Sequence, residues 1–169
     1  MSRASIRSAV ASYLSSANIT TLNSVKPFPA KFTPEMDFYD DEDPGVMTGS
    51  IIYIYIESQR ERRLEMASHQ GRKEVEYSVV LDCFTRSQEP KSEDAGASAE
   101  AFLDSLVSSI RSDFQAGAQG VIFQWGEGTT SGGQDIDVVS YYPRMIRGRA
   151  GTTQVYSRVR LTVIELITA

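Results

Sequence analysis

The chain has 169 residues, 41% of them hydrophobic and 23% charged, which is enough for one domain with a real core and short for two. A formal net charge of −5 excludes a global nucleic-acid footprint and leaves open only a local basic stripe. The single cysteine, Cys83, excludes an internal disulfide, and no apolar run approaches the roughly 18 residues that span a bilayer. The Ser-rich, amphipathic N-terminus lacks the apolar centre of a signal peptide, so a protein made and used in the cytoplasm is expected, without a membrane partner.

In chain order, Ile6, Val10, Tyr13 and Leu14 share one face of a helix from Ser2 to about Leu14, with Ser2 as its N-cap. Pro27, Pro29 and Pro34 then forbid helix and favour an extended segment. The run from Glu35 to Gly45 holds six acids and no base and ends on a Pro-Gly turn. Ser50 to Glu57 is β-branched and aromatic, a strand that is apolar on both faces. A helix can cover one face; the other needs a second layer or a neighbouring subunit. Val75, Tyr77, Val79, Leu81 and Cys83 mark a second strand.

Between these strands the charged stretch 58–73 is too long for a tight turn. It is expected to be a mobile arm that orders against a neighbour, anchored by Leu64 and Met66, with Arg62 and Arg63 among its basic residues. Arg86 to Gly96 reads as a polar linker. A second helix spans about Ala97 to Gln115, with Phe102, Leu103, Leu106, Ile110 and Phe114 as its apolar stripe and Gly117 as its stop. Val121 to Trp125 is a short strand, and Gly126 to Gly133 a flexible connection. From Gln134 to Thr168 two long strands are joined by a Gly/Arg-rich turn. On the second, Val155, Val159, Leu161, Val163 and Ile167 alternate with Tyr156, Arg158, Arg160 and Thr162. The fold class is therefore α+β. A single domain spans 1–169, with a mainly antiparallel sheet, two packed helices, a long charged strand-to-strand excursion and a C-terminal β-hairpin.

Most chemistry-bearing patterns fail on inspection. Gly128 and Gly133 have phosphate-loop spacing, but Gln134 stands in the lysine's place and a strand follows instead of a helix. Setting Gly45 as a calcium-loop glycine puts Pro44 at a ligand position and Ile51 where the bidentate carboxylate belongs. His69 is the sole histidine and reads as solvent-facing. Cys83 alternates with Leu81 and Val79 and reads as a buried structural thiol. Zinc needs about four Cys or His ligands. Asn18-Ile-Thr20 is a glycosylation sequon without a secretory context. No cofactor, metal or catalytic set is expected.

The arginines are different. Arg144, Arg147 and Arg149 cluster at the turn, and Arg158 and Arg160 project together from the last strand. Guanidinium forks suit bidentate contact with carboxylates and tolerate interface burial. The same chain holds complementary acids at Asp40, Asp41, Glu42 and Asp43. A solvated strand face and pairing within one subunit are the plainer alternatives. An acid-rich and an arginine-rich surface also suit a head-to-tail contact between subunits.

An N-terminal amphipathic helix from Ile6 to Leu14, a Pro-rich crossing segment, a strand, a charged excursion, a second strand, a central helix and a long C-terminal antiparallel pair follow in that order. Over nearly the whole chain this resembles the neck and tail-completion proteins of long-tailed bacteriophages, most closely the tail terminators. The resemblance implies an α+β virion subunit without catalytic residues. It would form a hexameric ring that caps the tail tube, meets the tail tube protein and the head-side connector protein, and lets DNA pass its lumen without tight binding. The chain would be assembled in the host cytoplasm and end in the tail or neck. Two other classes remain open: an adaptor whose Arg-rich hairpin docks an acidic partner, and an enzyme using Glu127, Asp135 and Asp137 as carboxylates.

Overall fold

The computed structural model describes residues 2–29, 48–63, 72–87, 92–116, 124–126, 129–131, 137–147 and 153–168. The elements are α1 (Arg3–Ser16), β1 (Leu22–Lys26), β2 (Gly49–Arg63), β3 (Arg72–Ser87), α2 (Ser92–Ala116), β4 (Gln124–Gly126), β5 (Thr129–Ser131), β6 (Asp137–Arg147) and β7 (Thr153–Thr168). They form an α+β fold around one sheet of order β1-β2-β3-β7-β5-β4, with β6 also paired to β7. Only β1 with β2 is parallel; the other pairs are antiparallel.

Strand β3 is the spine. It pairs with β7 from Arg72↔Thr168 to Ser87↔Thr153, and with β2 from Lys73↔Arg63 to Arg86↔Gly49. Its alternate residues Val75, Tyr77, Val79, Leu81 and Cys83 are buried, as their period-2 spacing requires. They meet Ile52, Ile54 and Ile56 of β2 and Val159, Leu161 and Val163 of β7 in one core. Both helices pack on this same face. Helix α1 contributes Ile6, Val10, Ala11 and Leu14, and α2 contributes Phe102, Leu103, Leu106 and Ile110.

The helix ends follow local chemistry. Ser2 Oγ accepts from Ser5 N at 3.2 Å, satisfying a donor that the first turn leaves open. Tyr13 Oη donates to Ser109 O at 3.3 Å and ties α1 to α2. The α1–β1 turn docks on α2 as well: Thr20 N donates to Ser105 Oγ at 3.0 Å. Helix α2 begins earlier than its apolar stripe suggested. Ala95 and Ala99 continue the stripe towards Val155 with small side chains, so Ser92 to Gly96 is helix and not linker. Arg86 and Ser87 still belong to β3.

The charged excursion is also corrected. Ser58 to Arg63 continue β2, and Arg72 and Lys73 begin β3. A bulge between Ile56 and Ser58 resets the register, after which Arg60 faces Glu76 and Arg62 faces Glu74. Opposite charges directly across a ladder contribute about 0.2–1 kcal/mol each, so a charged sequence is held as a strand pair by its own register. Leu64 and Met66 lie outside the described residues. The connection after β4 holds a strand as well, β5, which pairs with the end of β7.

One polar pair sits inside the core layer. Tyr77 is 2% and Glu165 6% exposed, and the phenol donates to Glu165 Oε2 at 2.9 Å. A buried acceptor that loses its donor costs about 1–3 kcal/mol. Tyr77→Phe is expected to lower the unfolding free energy by about that much, read from chemical denaturation. A change under ~0.5 kcal/mol would show that Glu165 does not depend on this donor.

Candidate functional site

The second face of the sheet carries no helix among the described residues. Ile51, Tyr53 and Val80 lie on it and are at most 1% exposed. A row of rings runs from the segment after β1 across three strands: Phe28 to Tyr53 at 6.2 Å, Tyr53 to Phe84 at 5.7 Å edge-on, and Phe84 to Tyr156 at 5.0 Å. Such edge and tilted pairs contribute about 0.5–1.5 kcal/mol beyond their burial. Phe28, the outermost ring, is 40% exposed.

Beside this row lies a charged cluster built by register. Tyr53 faces Asp82, and Asp82 faces Arg158. Arg158 Nε donates to Asp82 Oδ1 at 2.8 Å and Nη2 to Oδ2 at 3.4 Å, a two-pronged contact. Tyr156 Oη donates to the same Oδ1 at 2.7 Å. The guanidinium also stands over the rings of Tyr55 and Tyr156, at 5.9 and 5.8 Å, within cation–π range. Burial and the bond to Asp82 push the Tyr156 phenol well above its ordinary range. Burial and then Asp82 push Tyr55 up, and burial and then Glu61 push Tyr77 up. The hydrogen bond to Asp82 raises Arg158 further.

Arg158 and Arg160 do project from the helix-covered core, as their alternation requires. Acids of this subunit's own sheet meet both of them. Arg160 Nε lies 3.3 Å from Glu57 Oε2, with both side chains more than a third exposed. Glu57 sits at the bulge of β2, on the face of Arg160. A charge reversal at Arg158 would set a glutamate against Asp82, so it tests folding more than assembly.

Arg62 and Arg63 are exposed on the charged end of β2. Arg144 and Arg147 fall on β6, Arg144 inside its register shift and Arg147 opposite Thr153; their side chains lie outside the description. Arg149, Asp40, Asp41, Glu42 and Asp43 lie outside the described residues. So do His69, Glu127 and Asp135, while Asp137 opens β6 opposite Arg160. Cys83 is 1% exposed, and burial pushes its thiol far up, which suits a structural thiol and not a nucleophile. Among the described residues no cluster of three or more His, Cys, Asp or Glu could hold a metal ion, and no helix is long and apolar enough to cross a membrane.

Two buried charged residues escaped the sequence reading. Asp82 was visible as the one charge inside the run Val79 to Phe84. Arg86, 1% exposed and the largest fully buried side chain, was hidden by the Ser-Gln-Glu-Pro that follows it.

Removing one partner of a buried ion pair costs about 3–5 kcal/mol. Arg158 keeps 23% exposure, so Asp82→Ala is expected to cost about 2–3 kcal/mol in chemical denaturation. A loss under ~0.5 kcal/mol would make the cluster an ordinary surface pair. The three raised phenols also set an alkaline limit. An unfolded tyrosine ionises near pH 10, so the contribution of Tyr55, Tyr77 and Tyr156 is complete below about pH 10 and lost as pH rises through their folded values. These three are expected to give phenolate absorbance only above about pH 10, together with unfolding. Ionisation of all three near pH 10, with the fold intact, would contradict the burial of these groups.

No protein-family model and no curated protein sequence matches the chain.

Proposed function

We propose that the chain is a structural virion subunit that forms a ring at the head–tail junction, caps the tail tube and connects it to the neck. In this reading it is not an enzyme and takes no cofactor. Its partners are other copies of itself, the tail tube protein and the head-side connector, and DNA passes the lumen without tight binding.

The observation that carries this reading is the exposed, charged end of the edge strand β2. Strands β2 and β3 stay paired from Ser58 to Arg63, where β2 is exposed throughout and carries Arg60, Glu61, Arg62 and Arg63. A lone domain gains little from extending its edge strand with exposed, charged residues. A subunit that must reach a neighbour does. Past Tyr53 the outer edge of β2 also has no strand partner among the described residues. Open edges are templates for another chain, and charged side chains restrict which chain. The adaptor reading is weaker, because Arg158 and Arg160, two arginines of its docking hairpin, already pair with Asp82 and Glu57.

The test is assembly of the purified chain, followed by sedimentation and negative-stain imaging, alone and with tail tube protein. Closed rings, or rings seated on tube ends, are expected. Reversing the exposed pair, Arg62→Glu with Arg63→Glu, is expected to weaken assembly at least tenfold while the subunit stays folded. A chain that remains monomeric at every concentration and leaves tube ends uncapped would sink the proposal. Normal assembly of the double variant would remove this edge from the contact.

A further inference from the structure

The backbone direction along β2 follows from one bond. Ser50 N donates to Thr21 O at 2.7 Å, on the β1 side of the strand. Backbone groups alternate between the two edges of a strand, so Ile52, Ile54 and Ile56 also turn theirs away from β3. At Ile56 the carbonyl accepts from Arg3 Nη2 at 2.7 Å, in keeping with that alternation. The bulge then inserts Glu57 between the pairs Ile56↔Val79 and Ser58↔Ser78 and shifts the alternation by one. Ser58, Arg60 and Arg62 therefore bond to β3, while Gln59, Glu61 and Arg63 turn N–H and C=O outward. Among the described residues β1 pairs with β2 only as far as Tyr53, so the outward groups of Gln59, Glu61 and Arg63 have no strand partner there.

The side chains from Glu57 to Arg63 are all exposed. Glu61, the one acid beyond the bulge, is paired with Lys73 at 3.9 Å. Arg60 and Arg62 face Glu76 and Glu74 across the ladder, yet Arg60, Arg62 and Arg63 close no ion pair among the described residues. Their guanidinium forks stay open to further carboxylates. A second copy paired edge to edge does not supply them. Full antiparallel overlap of two such edges sets Arg60 opposite Arg62 and Glu61 opposite Glu61, and like charges directly opposite are destabilising. A different, acid-rich stretch of a second copy does, in a chain with 22 acids against 17 lysines and arginines.

We propose that the outer edge of β2 from Gln59 to Arg63 takes an added strand, an extended acid-rich segment of the neighbouring copy. Its backbone bonds to Gln59, Glu61 and Arg63, and carboxylates on its alternate residues meet Arg60 and Arg62. Main-chain bonds supply the affinity of such a contact and alternate side chains its selectivity. The source of the segment rests on the ring reading; the edge itself is complete in one subunit.

Fluorescence anisotropy of the full chain with a labelled peptide of alternating glutamate and threonine, against one of alternating lysine and threonine, tests the edge apart from the ring. Saturable binding of the acidic peptide, at least tenfold tighter than the basic one, is expected. Glu61→Pro deletes an outward N–H and no ladder bond, a change that an edge strand accepts. It is expected to weaken both peptide binding and self-association in sedimentation at least tenfold, with the circular dichroism spectrum unchanged. Glu61→Ala keeps the N–H and is expected to weaken neither. If Glu61→Pro does not fold, Gln59→Pro makes the same deletion. Hydrogen exchange reads the unaltered chain: the amides of Gln59, Glu61 and Arg63 are expected to exchange fast when dilute and slowly with peptide or on self-association, and those of Arg60 and Arg62 slowly throughout. No saturable binding, or a bound peptide that leaves the three outward amides fast, overturns strand addition whether or not rings form. Peptide capture at the edge with self-association untouched by Glu61→Pro overturns the neighbouring copy as the source. Peptide capture by a chain that never self-associates removes the ring and the neighbour together and upholds the edge.

Discussion

Both helices pack on one face of a sheet whose central strands are apolar on both, and the rest of the molecule answers to that. Phe102, Leu106 and Ile110 with Ile6, Val10 and Leu14 dispose of the first face. Ile51, Tyr53 and Val80 on the other are buried all the same. Large flat side chains take part in that: Tyr53, Phe84 and Tyr156 lie across three adjacent strands, and Ile51 packs with Tyr53 and Phe84. Rings suit the task because each buries much area while losing little rotamer freedom.

Asp82 is the polar counterpart of that solution. A carboxylate on a mostly shielded face is expensive unless its lone pairs are filled. Here Arg158 and Tyr156 supply three donors. Both come from β7, the strand paired with β3 along its length, so the ladder presets the geometry and little side-chain entropy is lost in forming it. This places the Arg158 pair far above the half-exposed Arg160–Glu57 pair, whose class contributes about 0–1 kcal/mol. An arginine seen in sequence as a free hand on a strand face is thus a brace.

Periodicity carried most of the fold. The stripes of α1 and α2, the two-faced strand at Ser50 and the alternation of β7 are all legible, because burial on a helix or strand leaves its period in the residue types. What periodicity missed lies where composition misleads. Ser58 to Arg63 have the composition of a loop, and only the partner strand shows that Arg60 and Arg62 meet Glu76 and Glu74. Ala95 and Ala99 are too small to announce a helix stripe. Thr129 to Ser131 read as part of a Gly-rich connection, yet they pair with Val163 to Glu165. For the site, arginine-rich composition pointed to β7 but could not name Asp82 and Glu57 as partners, since pairing across strands distant in sequence is a property of register. Arg86 was out of reach for the same reason: it stands between Gly49 and Gln154, partners on strands distant in sequence.

The charged end of β2 shows what register can support at an exposed edge. Complementary charges across the ladder contribute tenths of a kcal/mol each, too little to hold a free hairpin, but β3 also runs against β7 out to Thr168. A third strand converts a marginal two-stranded ribbon into a stable one. Its outer edge, on β2, is then rigid enough to dock and charged enough to refuse most chains. Arg60 and Arg62 on one face, with Gln59, Glu61 and Arg63 on the other, oppose the stacking of identical edges and so protect against indiscriminate aggregation. An edge of this kind favours a contact whose geometry and charge pattern are both specified. In the proposed ring, such a contact would let subunits close on a defined neighbour while keeping the stretch from Ile54 to Arg63, which has no outer strand partner among the described residues, from recruiting others.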